Sequence, residues 1–292
     1  MISVNPTLLE RLERYYDAVP RSSARAEDFG PLTLFHREGP DWPFYARPAL
    51  GGPGQVTAAD VDRVRARQRE LGVPESFEWM AETAPALRAA AEESGLTVHE
   101  HPVMVLDPRA SEPGRATAPE PDSAPGSAPA HVGGAVVRML GPDDPLLGSA
   151  LAVPHLAFAA PGGPAGADGA PGVAELDRLV RERAGDGSVE RTAERVRRGL
   201  TRIAAAVEDG RALCAGQHQP VGTVSEIVGV GTLPAARRRG LGLAVTAALA
   251  ADARAGGAET VFLAAGDEDV ARLYARLGFR RTATALIAEP DS

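Results

Sequence analysis

Val228-Gly229-Val230-Gly231-Thr232-Leu233-Pro234-Ala235-Ala236-Arg237-Arg238-Arg239-Gly240-Leu241-Gly242 runs from an apolar, β-prone segment through a proline-containing loop into a glycine-rich basic turn. Leu241, Ala244, Val245, Ala248 and Leu249 then recur at helical spacing on one face, so the turn lies at the exit of a strand and the start of a helix. The first turn of such a helix leaves backbone N–H groups unpaired, and the helix dipole sets partial positive charge behind them. Gly240 and Gly242 allow positive φ and remove the Cβ that would hold a ligand off. The result is a seat for a phosphate group. Arg237, Arg238 and Arg239 add fixed charge and fork-shaped donors beside it.

Working outward, Glu259-Thr260-Val261-Phe262-Leu263 reads as the next strand, and Val270-Ala271-Arg272-Leu273-Tyr274-Ala275-Arg276-Leu277-Gly278-Phe279 as a helix closed by a glycine turn. Upstream, Arg202–Val207 and Arg211–Ala215 flank Asp209-Gly210, a hairpin signal because both central turn positions need positive φ. Arg237-x-x-Gly240-x-Gly242 on a strand–loop–helix transition, followed by the Leu273-Tyr274 and Gly278-Phe279 pairs, resembles the signature of the GNAT acyltransferase superfamily. The likeness is firm over residues 224 to 281. It implies an α+β fold with a mixed, mostly antiparallel central sheet flanked by helices, and acetyl-CoA as cosubstrate.

The resemblance also distributes roles. The loop of Arg237, Arg238, Arg239, Gly240, Leu241 and Gly242 would hold the pyrophosphate, and the backbone of Val230, Gly231 and Thr232 would pair with the pantetheine arm like an added strand. Gly229 and Gly231 leave room for that approach. Tyr274 stands where the family often places the proton donor to the leaving thiolate, although its ring also suits packing against Leu273, Leu277 and Phe279. The spacing of Leu273 and Leu277 makes them the core face of the helix. Glu226 resembles the strand-borne glutamate that takes the amine proton directly or through water. By the period of two it shares a strand face with Val228 and Val230, in a semi-apolar setting that raises a carboxyl pKa. His218, in the loop read before that strand, is the rival base. Glu268 replaces the asparagine that many members use to reach the pantetheine, and Asp267 or Asp269 serves to cap the following helix.

Composition bounds the alternatives. At 292 residues the chain is long enough for one large or two small domains with a real core. All 31 basic residues are arginine, which removes Schiff-base chemistry and a Walker-type lysine. A net charge of -8 argues against nonspecific nucleic-acid binding. Cys214 is the single cysteine and permits no internal disulfide, which fits a reducing compartment. Without a signal peptide or an apolar run of membrane-spanning length, the simplest location is the cytoplasm. His99 and His101 would share a strand face, but no further ligand has readable spacing, so no metal is expected.

The first half reads as an amphipathic helix capped by Asn5 or Thr7, short strands at Leu32–Phe35 and Phe44–Arg47 separated by Gly39-Pro40, a helix opened by Thr57 and Asp60, another over Ala84–Ser94, and a strand over Leu96–Leu106. Trp42 and Trp79 suit core packing. Residues 108–132 turn to Pro, Ala and Ser with hardly a large apolar side chain, the composition of a flexible linker. The expected organisation is an N-terminal α/β domain over 1–107, that linker, and a catalytic GNAT domain over 133–292. The first part is either a shortened, degenerate GNAT-like copy or an unrelated cap. The functional expectation is transfer of an acetyl group from acetyl-CoA to a primary amine by direct attack in a ternary complex. A noncatalytic acyl-CoA-binding regulatory module is the alternative. A dinucleotide oxidoreductase fits poorly, because Gly229-x-Gly231-x-x-Pro234 breaks the Gly-x-Gly-x-x-Gly spacing. The acceptor and the oligomeric state are not encoded in readable motifs.

Overall fold

The computed structural model describes residues 6–37, 44–52, 55–110, 130–159 and 171–291. Asn5, Gly39, Pro40, Trp42, most of the expected linker and nearly all of the Pro/Gly-rich stretch Pro161–Gly172 lie outside those residues. Two compact units account for the chain. One comprises Met1–Val105, Ala264–Arg272 and Arg280–Ser292, and the other Leu106–Leu263 and Leu273–Phe279. The expected boundaries follow the chain contiguously, whereas these units take up its C-terminal part in alternation.

The first unit opens with α1 (Pro6–Arg21), β1 (Arg25–Asp28), β2 (Leu32–His36) and β3 (Ala46–Pro48). It continues with α2 (Ala58–Leu71), β4 (Phe77–Met80), α3 (Pro85–Glu93) and β5 (Thr97–Leu106). Thr7 lies inside α1 rather than capping it, since the helix already begins at Pro6. The α2 capping box forms as its sequence dictates: Asp60 N donates to Thr57 Oγ1 at 3.3 Å, and Thr57 N donates to Asp60 Oδ2 at 2.8 Å. Gly72, at φ +66°, ends that helix. Two strands have no clear sequence signature. β1 is largely exposed and lacks apolar alternation, and β4 is only four residues long. Trp79 on β4 is nonetheless core, packed with Leu34, Val61, Val64, Phe77 and Leu87.

The second unit begins with β6 (Ala130–Val132), β7 (Ala135–Leu140), α4 (Leu147–Ala159), α5 (Val173–Glu182) and α6 (Ser188–Arg197). β8 (Arg202–Glu208), β9 (Arg211–Val221), β10 (Val224–Thr232), α7 (Leu241–Ala255) and β11 (Thr260–Ala264) follow. Asp209 and Gly210 both take positive φ, 48° and 71°, so the β8–β9 hairpin is the one its turn residues require. Strand order is β11-β10-β9-β8-β7-β6, antiparallel throughout except for the parallel β10–β11 pair. Helices α4 and α7 pack on β9 and β10. The chain closes with α8 (Glu268–Ala275) and β12 (Phe279–Glu289). β12 enters the first unit between β4 and β5, antiparallel to β4 with Leu286 opposite Trp79. Among the described residues no helix is long and apolar enough to cross a membrane.

Candidate active site

The strand, turn and helix expected around Gly240 form as their residues predict. β10 ends at Thr232, a short 3-10 turn covers Pro234–Ala236, and α7 starts after Gly240, which sits at φ +79° as its N-cap. No side chain caps the helix, so its first-turn amides are not consumed by a local oxygen. A Cβ on Gly242 would lie 3.4 Å from Thr232 Oγ1, so a larger residue there would crowd the mouth of the helix.

The three arginines do different work. Arg237 Nη2 donates to the Ala157 carbonyl at 2.9 Å and fastens the loop to the last turn of α4. Arg239 donates to Glu208 Oε1 at 2.6 Å and Oε2 at 3.1 Å, and its Nε donates to the Gly133 carbonyl at 2.9 Å. That hydrogen-bonded guanidinium holds the Glu208 carboxyl below its usual value. Arg238 is exposed and makes no ion pair among the described residues. Its φ of +65° is a conformation that costs a non-glycine residue about 1–2 kcal/mol. Arg237 and Arg239 are thus tied to distant backbone carbonyls and to Glu208, while Arg238 projects from the turn.

A bulge shapes β10. Val228 pairs with Gln217 and Gly231 with Ala215, so three steps on β10 oppose two on β9. Gly229, at φ +64°, supplies the turn that the extra residue needs. The bulge corrects the expected strand face. Glu226, Val228 and Gly231 lie on one side, opposite Gln219, Gln217 and Ala215, while Val230 is turned to the other side beside Gly216. Gly231 faces α4: a Cβ there would be 2.8 Å from Pro154 Cα and 2.9 Å from Ala157 Cβ. Its missing side chain thus admits a helix, in addition to any ligand approach.

The parallel ladder pairs Val224, Ser225 and Glu226 with Thr260, Val261 and Phe262, and stops there while β10 runs on to Thr232. Beyond Glu226 the β10 backbone has an edge no longer laddered to β11. Glu226 itself is buried, 8% exposed, at the last rung.

On the α7 side of the sheet lies a strip of hydroxyls and one thiol. Thr232 Oγ1 donates to Cys214 Sγ at 3.3 Å. Fully buried Thr246 donates to the Gly242 carbonyl at 2.8 Å. Tyr274 is half-buried. Burial raises the Tyr274 phenol above its ordinary pKa. Burial pushes Cys214 up to about 12, so it is an inert thiol. Tyr274 also lies tilted against Phe279 with ring centroids 6.2 Å apart. Leu273 is 50% exposed and does not form the expected core face with Leu277. The helix ends at Ala275, so its periodicity no longer governs Leu277. Glu226 and the Tyr274 strip occupy opposite faces of the sheet.

His218 is a second correction. It lies within β9 rather than in a loop, 2% exposed, with Nδ1 2.8 Å from Ser225 Oγ and Nε2 2.9 Å from Asp252 Oδ2. Arg202 completes the network with bonds of 3.0 and 2.9 Å to Asp252. Asp252 is held far below the usual carboxylate range, because the His218 and Arg202 hydrogen bonds outweigh the burial that opposes them. A cavity of about 330 Å³ opens beside this network, lined by Arg202, His218, Pro220, Asp252 and Gly256. Asp252 lies 11 residues along α7 from Leu241, about 16 Å by helical rise, so cavity and phosphate seat are at opposite ends. Both ring nitrogens of His218 are thus engaged, and its side chain lies on the α7 face of the sheet.

Nothing in the sequence motif pointed to Thr246 or to the Ser225–His218–Asp252 network. A lone hydroxyl four residues after Gly242 in an apolar helix is the one signal that could have singled out Thr246. Asp267 is the α8 cap, accepting from Val270 N at 2.8 Å, and Glu268 pairs with Arg281. No group of metal-holding side chains occurs among the described residues.

A six-stranded unit with a bulged strand running into the amide-lined mouth of a helix defines a class: this is the fold of the GCN5-related N-acetyltransferases. A GCN5-related N-acetyltransferase from Kribbella flavida superposes with a TM-score of 0.61 at 22% identity, covering 98% of this chain and 96% of that one. A tandem GNAT protein from the clavulanic acid biosynthesis pathway gives 0.51 at 17%, over 89% and 79%. A conserved protein of unknown function from Staphylococcus epidermidis gives 0.55 at 13%, over 92% and 94%. Within that fold, residues 197–287 match the family model described as FR47-like protein. No curated protein matches the chain.

Proposed function

We propose that the second unit transfers an acetyl group from acetyl-CoA to a primary amine by direct attack in a ternary complex. One observation carries this reading: β10, bulged at Gly229, runs past the end of its β11 ladder and leads into the uncapped first turn of α7. An open strand edge pairs with an extended amide-bearing chain, and a helix mouth holds a diphosphate. The residues fit both halves of coenzyme A. Val230, Gly231 and Thr232 would pair with the pantetheine amides, while the amides after Gly240 and the Arg238 guanidinium would meet the diphosphate. Arg237, Arg239 and Leu241 would hold the turn in shape.

In this reaction the amine lone pair attacks the thioester carbon, a C–N bond forms, and the C–S bond breaks. Glu226 and Tyr274 lie on opposite faces of the sheet, so the thioester would sit at the β10 edge beyond the last β10–β11 rung, where both faces can be reached, and there Glu226 would take the proton from the amine, directly or through water. Tyr274 would give its phenolic proton to the departing thiolate. A phenol whose pKa burial raises remains protonated at neutral pH, as an acid must. The chain would work in the reducing cytoplasm with an amine-bearing acceptor and no metal. The first unit, with its helix, strands, helix, strand, helix and strand in series, is proposed as a degenerate GNAT-like copy without the Arg-x-x-Gly-x-Gly turn.

Titration calorimetry with coenzyme A tests the seat. Wild-type protein should bind, and Arg238→Ala should bind roughly fivefold to tenfold more weakly, the loss of one charge-assisted contact at an exposed site. Absence of binding heat would overturn the proposal. Release of coenzyme A from acetyl-CoA in the presence of benzylamine, spermidine or a lysine-containing peptide separates an enzyme from a regulatory module, which would bind without turnover.

A further inference from the structure

The cavity at the far end of α7 has a wall of fixed polar groups that the transfer chemistry does not use. Arg202 on β8, His218 on β9 and Asp252 on α7 all line it. Ser225 completes their chain of hydrogen bonds, but it is fully buried and does not line the cavity, so the Ser225–His218–Asp252 series offers no nucleophile to a molecule bound there. Its part is to hold the wall. The Asp252 carboxylate only accepts, so His218 Nε2 carries a proton toward it, and the Ser225 hydroxyl meets Nδ1. These bonds fix the polar groups before any ligand arrives, which lowers the cost of binding one.

What the wall still offers selects the ligand. Asp252 Oδ2 accepts from His218 Nε2 at 2.9 Å and from Arg202 Nε at 3.0 Å, which uses both of its lone pairs. Among the described residues Oδ1 accepts from Arg202 Nη2 alone, at 2.9 Å, and keeps a lone pair, while Arg202 Nη1 keeps its donors. The two charges offset each other, so a carboxylate or an ammonium would be drawn by one and repelled by the other. A hydroxyl suits both, donating to Oδ1 and accepting from Nη1. Gly222, Ala253, Ala255 and Gly256 complete a low apolar floor for the C–H face of a ring, and a volume of about 330 Å³ lies at the small end of ligand pockets. We propose that this cavity is a second ligand site, which takes a neutral polyhydroxylated ring about the size of a monosaccharide, with one hydroxyl bridging Asp252 and Arg202. The site stands at the opposite end of α7 from the phosphate seat and depends on no reading of that seat.

NMR titration of the ¹⁵N-labelled full chain with D-glucose, N-acetyl-D-glucosamine and myo-inositol, and in parallel with succinate and butylamine, tests the proposal. At least one polyol should give saturable shifts of the Gly222 and Gly256 amides, which line the cavity, and leave those of Gly240 and Gly242 in place. The two charged probes should give none at Gly222 or Gly256. Arg202→Gln should weaken the bound polyol about tenfold, the loss of a hydrogen bond to a charged group. Ala255 is exposed, so Ala255→Phe obstructs the cavity without entering the core and should abolish the shifts at an unchanged melting temperature. That variant keeps the test decisive where Arg202→Gln fails to fold. Shifts from none of the polyols, shifts at these glycines from a charged probe alone, or polyol affinity unchanged in Ala255→Phe would each overturn the proposal.

Discussion

Glu78, on β4 of the first unit, shows how burial alone can reset a side chain. Its carboxyl is pushed up to about 7 by burial, against the opposing pull of the Arg47 guanidinium. Arg47 is itself buried, paired with Glu13 and lying 5.2 Å over the Tyr16 ring, so it is shared among several partners. A carboxyl raised in the folded state favours the fold in its protonated form. That contribution is complete below the ordinary value of 4.5 and is lost as pH rises through about 7. Glu78→Gln should therefore stabilise the protein at pH 8 by on the order of 1–3 kcal/mol, read as a rise of several degrees in melting temperature, and change little at pH 4.5. Equal shifts at both pH values would refute the assignment. The sequence offers no hint of this residue, since Phe77-Glu78-Trp79-Met80 reads as four residues of no clear class. The arginine triplet is the converse case. It was legible as a basic turn, yet the division of labour among its members depends on Ala157, Gly133 and Glu208, each far away in the chain.

At the scale of the element, the bulge in β10 decides which side chains reach which face. Two glycines in it make contrasting predictions. Gly229→Ala meets open space and suffers only from the left-handed φ, a cost of about 1–2 kcal/mol. Gly231→Ala places a methyl 2.8 Å from the Pro154 backbone, which cannot yield without shifting α4. It should cost about 1–3 kcal/mol through overpacking and also weaken coenzyme A binding, because Arg237 fastens the phosphate turn to α4. Thermal melts and coenzyme A calorimetry on the pair check this; equal affinity in both variants would show that α4 does not support the seat. Elements whose signals are local were readable in advance. Thr57 and Asp60 close their capping box, and Asp209-Gly210 turns its hairpin, because each interaction spans four residues or fewer. The bulge was not readable, since Val-Gly-Val-Gly continues an alternating pattern as readily as it breaks one.

On the scale of the whole molecule, the C-terminal strand belongs to the first unit. β12 lies between β4 and β5, and its Leu286 and Ala288 enter the core built around Trp79 and Phe77. Truncation after Phe279 would leave β4 without its antiparallel partner and open that core. The truncated chain should lose protection of residues 6–105 to limited proteolysis, whereas the intact chain should resist there. A truncated protein with undiminished protection would show that β12 is dispensable to the first unit.

By itself the sequence determined the strand–turn–helix passage around Gly240, the succession of strands and helices in the second half, and the choice of Tyr274 and Glu226 as candidates, because caps, turns and periodic faces are set within a few residues. Only the tertiary structure decided that Arg237 is tied to α4 and Arg239 to Glu208, that His218 is held by Ser225 and Asp252, and that the last strand closes the first unit. Those outcomes depend on which distant segments share a strand edge or a helix face, and such pairings are fixed by packing across the whole sheet rather than by any one stretch of chain.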